Sequence, residues 1–412
     1  MADSAKVTVL RGKVVLPTQV IDDGIVLLVG DRIGYAGPVV PAEMLRSSCG
    51  MELPTAIPEA NANAVIMPGL IDLHNHGGGG ASFPDATTAE QVEQAANTHL
   101  RAGTTTMLAS LVTADPDTLV ARCELLAQAA EKGVVAGIHI EGPFLSRDRR
   151  GAQSPDFLSA GNVDLVKRLI TAGGGWLRTM TVAPEIEGVT GPGGAAEALT
   201  AAGVIPSLGH TDATCEQAEA LIAQVAPAVK ARGLRMTATH LFNGMPPLHH
   251  RAPGPIAACL AAAARGDMVV EMIGDGVHLD PATVRSFFPL VNGNAAFITD
   301  AMAAAGMPDG EYQLGPMAVQ VSGGVARLAT KPGEPEGAIA GGTARLIDVV
   351  RISVNGGIPL ADAVRAASWV PASVLNLTDV GGLIVGRRAD VLITDAELKP
   401  VKVFRAGQEI SS

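Results

Sequence analysis

The sequence has little of what a bridged scaffold, a nucleic-acid binder or a membrane protein would need. Its four cysteines, Cys49, Cys123, Cys215 and Cys259, are scattered and form no Cys-x-x-Cys pair. That excludes a disulfide framework and a zinc finger, and it fits a reducing cytoplasm. Aromatic residues are few, at Phe 8, Trp 2 and Tyr 2, so a stacking platform for sugars or bases is not expected. There is no basic excess: 30 Lys and Arg stand against 41 Asp and Glu, for a net charge of -11. Such a chain is a poor partner for nucleic acid or for an anionic membrane surface. Long apolar runs are also missing. The longest, Ile256 to Ala264, is cut by Arg265 and falls far short of the roughly 20 residues that span a bilayer. The opening residues, Met1 to Lys6, hold no apolar signal core.

What is present is a folded, soluble composition. Of 412 residues, 47% are hydrophobic and 17% charged, enough for a large core and unlike a disordered chain. The 48 glycines suit many tight loops between strands and helices. A unit of architecture recurs: a short, β-branched-rich apolar run, then a polar end, then a helical pattern. Eight such runs occur, at 67–74, 104–109, 134–140, 177–183, 204–209, 236–240, 268–273 and 296–299. Helical patterns follow at 88–102, 116–132, 213–226 and 281–291. Asp115, Thr211 or Asp212, and Asp280 stand where N-caps belong, and Pro116 and Pro281 suit a first turn. Eight strand-then-helix units predict an α/β fold, a (β/α)8 TIM-type barrel. A doubly wound sheet would want a Gly-rich fingerprint after its first strand, and none is there.

The chain ends read differently. Segments 7–15, 25–29, 32–36, 388–394 and 401–404 alternate and turn at glycines, as antiparallel strands do. Neither end alone would hold a core, so the two are expected to pair into one small β-sandwich domain. The expected organisation is 1–66 and 377–412 for that domain and 67–376 for the barrel. Residues 306–341, rich in Gly and Pro, predict a hairpin inserted into the last unit.

Barrel enzymes carry their chemistry at the C-terminal ends of strands. Six of the nine histidines fall there: His74, His76, His139, His210, His240 and His278. The acids Glu141 and Asp300 join them. His74 and His76 are two apart and can grip one ion from one face, while Glu141 can bridge two ions. Imidazole and carboxylate without thiolate suit zinc, with iron, manganese or cobalt as alternatives. Asp300 is the natural proton shuttle for a metal-activated water. Strand alternation is read as turning His139 away from the neighbours of Glu141, a structural histidine. His99 reads as a solvated or packing residue, and Asp72 as either a partner of the ligands or an interior acid.

The segments Pro68–Gly80, His139–Phe144, Gly209–Ala213, Thr239–Met245, Asp275–His278 and Ile298–Met302 resemble the amidohydrolase superfamily. Within it, Glu-Gly-Pro-Phe and His-Leu-Phe-Asn-Gly-Met resemble the N-acetylglucosamine-6-phosphate deacetylases. The similarity covers nearly the whole chain. It implies hydrolysis of the acetamide of a phosphorylated amino sugar in a cytoplasmic homodimer, with one or two divalent ions per subunit. Glu141, His210 and His240 are then ligands of one ion, and His74 and His76, with Glu141 and Asp300 shared, of a second. Asp300 resembles the catalytic acid/base and His278 a residue that holds the substrate. Asn243 and the Gly244 N–H resemble phosphate binders, Arg251 an arginine that grips the phosphate from the partner subunit, and Ile339 part of a loop over the sugar. Gln153 stands where many members have histidine and is expected to bind a sugar or phosphate oxygen. Gly244 replaces a commoner alanine, a change expected to be harmless. The galacto epimer, a cyclic-amide hydrolase of the same superfamily and a non-catalytic binding protein are the rival readings. No lysine in strands three or four replaces Glu141, as many cyclic-amide hydrolases would require.

Overall fold

The computed structural model describes residues 6–49, 57–331 and 333–411. Met1 to Ala5, read above for a signal core, lie outside the described residues, as does the Cys49 side chain. Eight parallel strands lie side by side in chain order: Leu70–Asp72, Thr104–Leu111, Gly137–Glu141, Leu177–Val182, Ile205–Leu208, Met236–Ala238, Met268–Met272 and Ala295–Phe297. The first and last meet just beyond their ends, where Asn75 bridges Ala301, Asp300 N donates to His74 O and His76 N donates to Ala301 O. Asp72 fastens the same seam by accepting from Thr299 Oγ1 at 2.6 Å and from Thr299 N at 3.2 Å. The result is a TIM-type barrel wrapped by helices.

Strand period sorts the barrel interior into two layers. Leu108, Ile205 and Val269 join a buried apolar cluster that Val370 and Val374 of the helix Trp369–Val374 also enter. Two residues further along the same strands, Ser110, Ser207 and Glu271 face the same way and are polar. The mouth is therefore polar over an apolar floor. Outside, the strands pack on helices through one large core that includes Leu126, Leu169, Leu221 and Ile256.

Capping follows local chemistry. Asp115 accepts from Asp117 N and Thr118 N, and Asp280 from Ala282 N, with proline in each first turn. The helix Cys215–Lys230 is instead capped by Thr214, in a reciprocal box with Gln217. Neither Thr211 nor Asp212 caps it: the Thr211 hydroxyl donates to Glu185 and the Asp212 carboxylate accepts from Arg149 Nε.

Both chain ends form one seven-stranded sheet. The N-terminal strands Val7–Val15, Val20–Val29 and Arg32–Pro38 are antiparallel, but Val7–Val15 pairs in parallel with Val65–Pro68. That strand also takes Val391–Thr394 antiparallel, joining the two ends. The sheet rolls up, since Ile33 N donates to Arg387 O and Gly386 N to Ile33 O. It encloses Val14, Val26, Leu28, Ile66, Val391 and Phe404. The apolar run that starts at Met67 is thus divided: Val65–Pro68 belongs to this sheet and Leu70–Asp72 to the barrel. Gly69 is the joint, and a Cβ there would stand 2.2 Å from Thr105 Oγ1 and 3.0 Å from Asp390 Cβ. The insertion is a three-stranded meander rather than a hairpin, Gly310–Leu314, Met317–Ser322 and Val325–Leu328. Its inner face packs Leu314, Val319 and Ala326 on Met302 and Ala304 beside the barrel mouth.

Candidate active site

At that mouth the imidazoles converge on Glu141, which is buried at the end of the third barrel strand. Its Oε1 lies 2.8 Å from His210 Nε2, 2.8 Å from His240 Nε2 and 3.7 Å from His74 Nε2. Its Oε2 lies 3.4 Å from His76 Nε2. Two donor sets therefore share one carboxylate, His74–His76–Glu141 and Glu141–His210–His240, and all five residues are buried. Asp300 closes the first set, with Oδ1 3.2 Å from His76 Nε2 and 3.5 Å from His74 Nε2.

The contacts between nitrogens test whether a cation belongs here. His74 Nε2 and His76 Nε2 are 2.9 Å apart, and His210 Nε2 and His240 Nε2 3.1 Å. Neutral imidazole lone pairs do not face each other at such distances without a proton or a cation between them. Four ring nitrogens and two carboxylates with no thiolate fit a divalent ion.

The remaining nitrogens fix ring orientation. His76 Nδ1 meets Ser110 O at 3.2 Å and His210 Nδ1 meets Arg149 O at 2.8 Å, which leaves each Nε2 free for the centre. Asn75, between the two histidines, is anchored to Asp72, Ser110 and Thr299. Several site residues adopt left-handed backbone: His210 at φ 48, His240 at φ 28 and Asp300 at φ 48. Each costs of order 1–3 kcal/mol for a residue other than glycine.

The electrostatics are those of a packed ion cluster. Burial opposes charge on Glu141, yet the charges of the facing His210 and His74 and the hydrogen bonds of His210 and His240 hold its carboxyl well below the usual range. Burial likewise opposes charge on Asp300, but His74 and His76 hold it down. For His76 burial is outweighed by the hydrogen bonds and charges of Asp300 and Glu141, and it is pushed up to about 10.

His278 stands across from the cluster, its Nε2 3.8 Å from Asp300 Oδ2. Its Nδ1 is 2.8 Å from Asp275 Oδ2, and Asp275 Oδ1 accepts from the backbone N of Val277 and His278. A cavity of about 210 Å³ opens over this arrangement, lined by His76, Glu141, His210, His240, His278 and Asp300 together with Gln153, Asn243, Gly244 and Ile339. The insertion contributes Leu314 to the wall. A larger groove of about 740 Å³, between the insertion and the helix Ala89–Arg101, contains none of these donors.

Some expected residues stand differently. The Gln153 amide is engaged at both ends: Thr113 N donates to its Oε1 at 2.8 Å, and its Nε2 donates to Glu141 Oε2 at 2.5 Å. It grips the bridging carboxylate from inside the wall. Gly244 is not a neutral replacement for alanine, because its φ is +61 and a Cβ there would stand 2.9 Å from His210 Nδ1. Asn243 lines the cavity while its Nδ2 donates to His240 O. Arg251 is exposed on a loop outside the cavity lining of its own chain. His139 does share a face with Glu141, being two residues before it, and its ring lies 4.5 Å from that of His74. Hydroxyls of Thr179 and Thr181 occupy both its nitrogens, at 2.6 Å and 3.2 Å. His99 is buried, not solvated, and its Nε2 meets Gly77 O.

Two acids escaped the sequence reading. Asp275 was legible as the residue three before His278, a spacing that allows a local turn to close on the ring. Glu271 was legible only as a lone acid within the apolar run 268–273.

Comparison with known proteins gives the same picture. The amidohydrolase family matches residues 65–410. An N-acetylgalactosamine-6-phosphate deacetylase of Escherichia coli O157:H7 is 33% identical over 362 residues, 86% of this chain and 90% of its own. An N-acetylglucosamine-6-phosphate deacetylase of Lysinibacillus sphaericus is 32% identical over 351 residues, 83% of this chain and 84% of its own. Among solved structures, the N-acetyl-D-glucosamine-6-phosphate deacetylase of Mycobacterium smegmatis, a mutant in complex with N-acetyl-D-glucosamine-6-phosphate, aligns with a TM-score of 0.84 and 36% identity. That alignment covers 98% of this chain and 99% of that one.

Proposed function

This chain belongs to the amidohydrolase family, and from that premise we propose that it hydrolyses the acetamide of N-acetylglucosamine 6-phosphate to glucosamine 6-phosphate and acetate. The observation that carries this reading is Glu141 between two histidine pairs, with Asp300 and His278 facing them across one cavity. The Mycobacterium smegmatis deacetylase, similar over almost the full length, was solved with that sugar phosphate.

Glu141, His210 and His240 hold one ion in this reading, and His74 and His76, with Glu141 and Asp300, a second. Zinc suits the donor set best. A divalent ion supplies Lewis acidity and lowers the pKa of a bound water toward about 7. Asp300 takes the proton of the attacking water and delivers it to the nitrogen, so that the C–N bond breaks to a neutral amine. His278, oriented by Asp275, steadies the developing oxyanion or a sugar hydroxyl. Asn243 and the Gly244 N–H receive the phosphate and Ile339 covers the sugar. Gln153, which lines the cavity, binds a sugar or phosphate oxygen in this reading and also holds Glu141. With a net charge of -11 the chain offers no long-range attraction to a phosphate, so the positive field must be local. Arg251, outside its own cavity, is assigned to a partner subunit's site, which makes the working form a homodimer. The thiols of Cys123, Cys215 and Cys259 are free and accord with the cytoplasm. The catalytic unit runs from Gly69 to 376, the joint falling at Gly69 rather than after residue 66, and the described residues up to Pro68 with 377–411 are its flanking β-unit.

The test is the rate of acetate release from N-acetylglucosamine 6-phosphate, its galacto epimer and unphosphorylated N-acetylglucosamine, using zinc-loaded protein. A strong preference for the first is expected. A faster galacto epimer moves the assignment to that sugar. No acetate from any of them, with zinc bound, overturns the reaction.

A further inference from the structure

Glu271 is the one acid on the seventh barrel strand, buried beneath the cluster, and the function proposed above gives it no task. Its Oε2 faces two groups. His240 N donates to it at 3.3 Å, and His74 Nδ1 lies 3.6 Å away. That Nδ1 is fully buried and, like His240 Nδ1, has no hydrogen-bond partner among the described residues, but of the two only His74 Nδ1 has a carboxylate oxygen facing it. At 3.6 Å the contact is longer than a hydrogen bond, yet a buried ring nitrogen without a partner is costly to leave.

We propose that Glu271 is the positioning residue of the His74/His76 ion site: it keeps the proton on His74 Nδ1, so that Nε2 presents a lone pair to the cation. Histidine ligands need such an outer acceptor to fix tautomer and ring direction, and a carboxylate also raises their basicity. His76 has the Ser110 carbonyl for this task and His210 the Arg149 carbonyl. His74 has neither, because the polypeptide around it is committed to the seam: its O accepts from Asp300 N and its N is turned toward Asp72. Only a side chain from across the barrel fills the gap. The bond to His240 N gives Glu271 a second use, holding the left-handed turn at φ 28 that carries a ligand of the other set. One carboxylate thus props a residue of each pair from below, as Glu141 joins them from above.

The inference rests on the two-ion reading, and metal binding tests it apart from turnover. Zinc would be titrated against a competing chelator in the intact wild-type chain and in Glu271→Ala, Glu271→Gln and His74→Ala. Glu271→Ala is expected to weaken about 10- to 100-fold the ion that His74→Ala abolishes, and to weaken the ion at His210 and His240 less, through the bond to His240 N. Glu271→Gln, which keeps an acceptor oxygen without the charge, should weaken that ion less. It also serves as the test if the alanine variant does not fold. A merely structural role would lower the melting temperature of the metal-free chain and weaken both ions alike. Both ions unchanged, or both weakened equally, overturns the inference and leaves the two-ion reading standing. A wild-type chain that binds a single zinc overturns both.

Discussion

The two halves of the donor cluster share Glu141 but are built from different materials. His74 and His76 follow the end of the first strand at the seam of the barrel, with Asn75 tied down between them and carboxylates on either side. His210 and His240 each sit in a left-handed turn after a short strand. His210 is backed by a carbonyl, and a glycine at 244 leaves room for its ring. Beneath this half runs a chain of hydroxyls, Thr181–Thr239–Ser207–Thr237, at 2.6–2.8 Å. Each half has one ring backed by a carbonyl; the seam half adds carboxylates on both sides, the other half left-handed backbone and close packing. Two ions of the same element in such surroundings need not have the same affinity or respond to the same mutations.

The largest effect should come from breaking what the halves have in common. Glu141→Ala is expected to release both ions and reduce turnover to background; retention of either ion at wild-type affinity by elemental analysis would dismantle the shared-ligand picture. Asp300→Asn touches only the seam half and the proton transfer. It should lower kcat by about 10²–10⁴-fold while the ion at His210 and His240 stays bound, so near-native turnover would remove Asp300 from the chemistry. Gly244→Ala attacks the other half by volume alone. Overpacking and left-handed strain should cost about 1–3 kcal/mol, seen as a lower melting temperature with zinc loss confined to one ion. Equal loss of both ions would count against independent halves.

The smallest effect is a proton count. His76 is held up at about 10 against an ordinary 6.5 in the metal-free chain. Protonated His76 therefore supports that chain fully below pH 6.5, and the support is lost as pH rises through about 10. A metal ligand must be neutral, so binding at the seam half releases this proton near pH 7 and strengthens as pH rises. Calorimetry of zinc binding in two buffers of different ionisation enthalpy should register the released proton. No buffer dependence would mean that His76 was already neutral.

Much of this was legible in the sequence because strand burial writes a direct signal. Runs such as Leu177–Val182 and Met268–Met272, covered on both faces, are apolar in sequence and lie in the barrel. The strand-end histidines could be read because imidazoles seldom follow apolar runs without cause. Other features depend on what lies across the fold. Thr211 and Asp212 make good caps in isolation, and only the approach of Glu185 and Arg149 takes them away. Gly69 hides a change of sheet inside one continuous apolar run, since nothing local says which partner strand comes next. The reach of Gln153 to Glu141 and the service of Glu271 to His74 are likewise tertiary facts. The error over His139 was one of period: residues two apart on a strand look the same way.

The left-handed turns at His210, His240 and Asp300 have a consequence for anyone evolving this protein. Glycine accepts that backbone without penalty, so His210→Gly, His240→Gly or Asp300→Gly would relieve strain at the expense of a proposed ligand. A library selected for heat resistance in chelating buffer would be rewarded for losing its chemistry at these positions. Keeping zinc in the selection medium reverses the pressure, because the fold is then stabilised through the same three side chains.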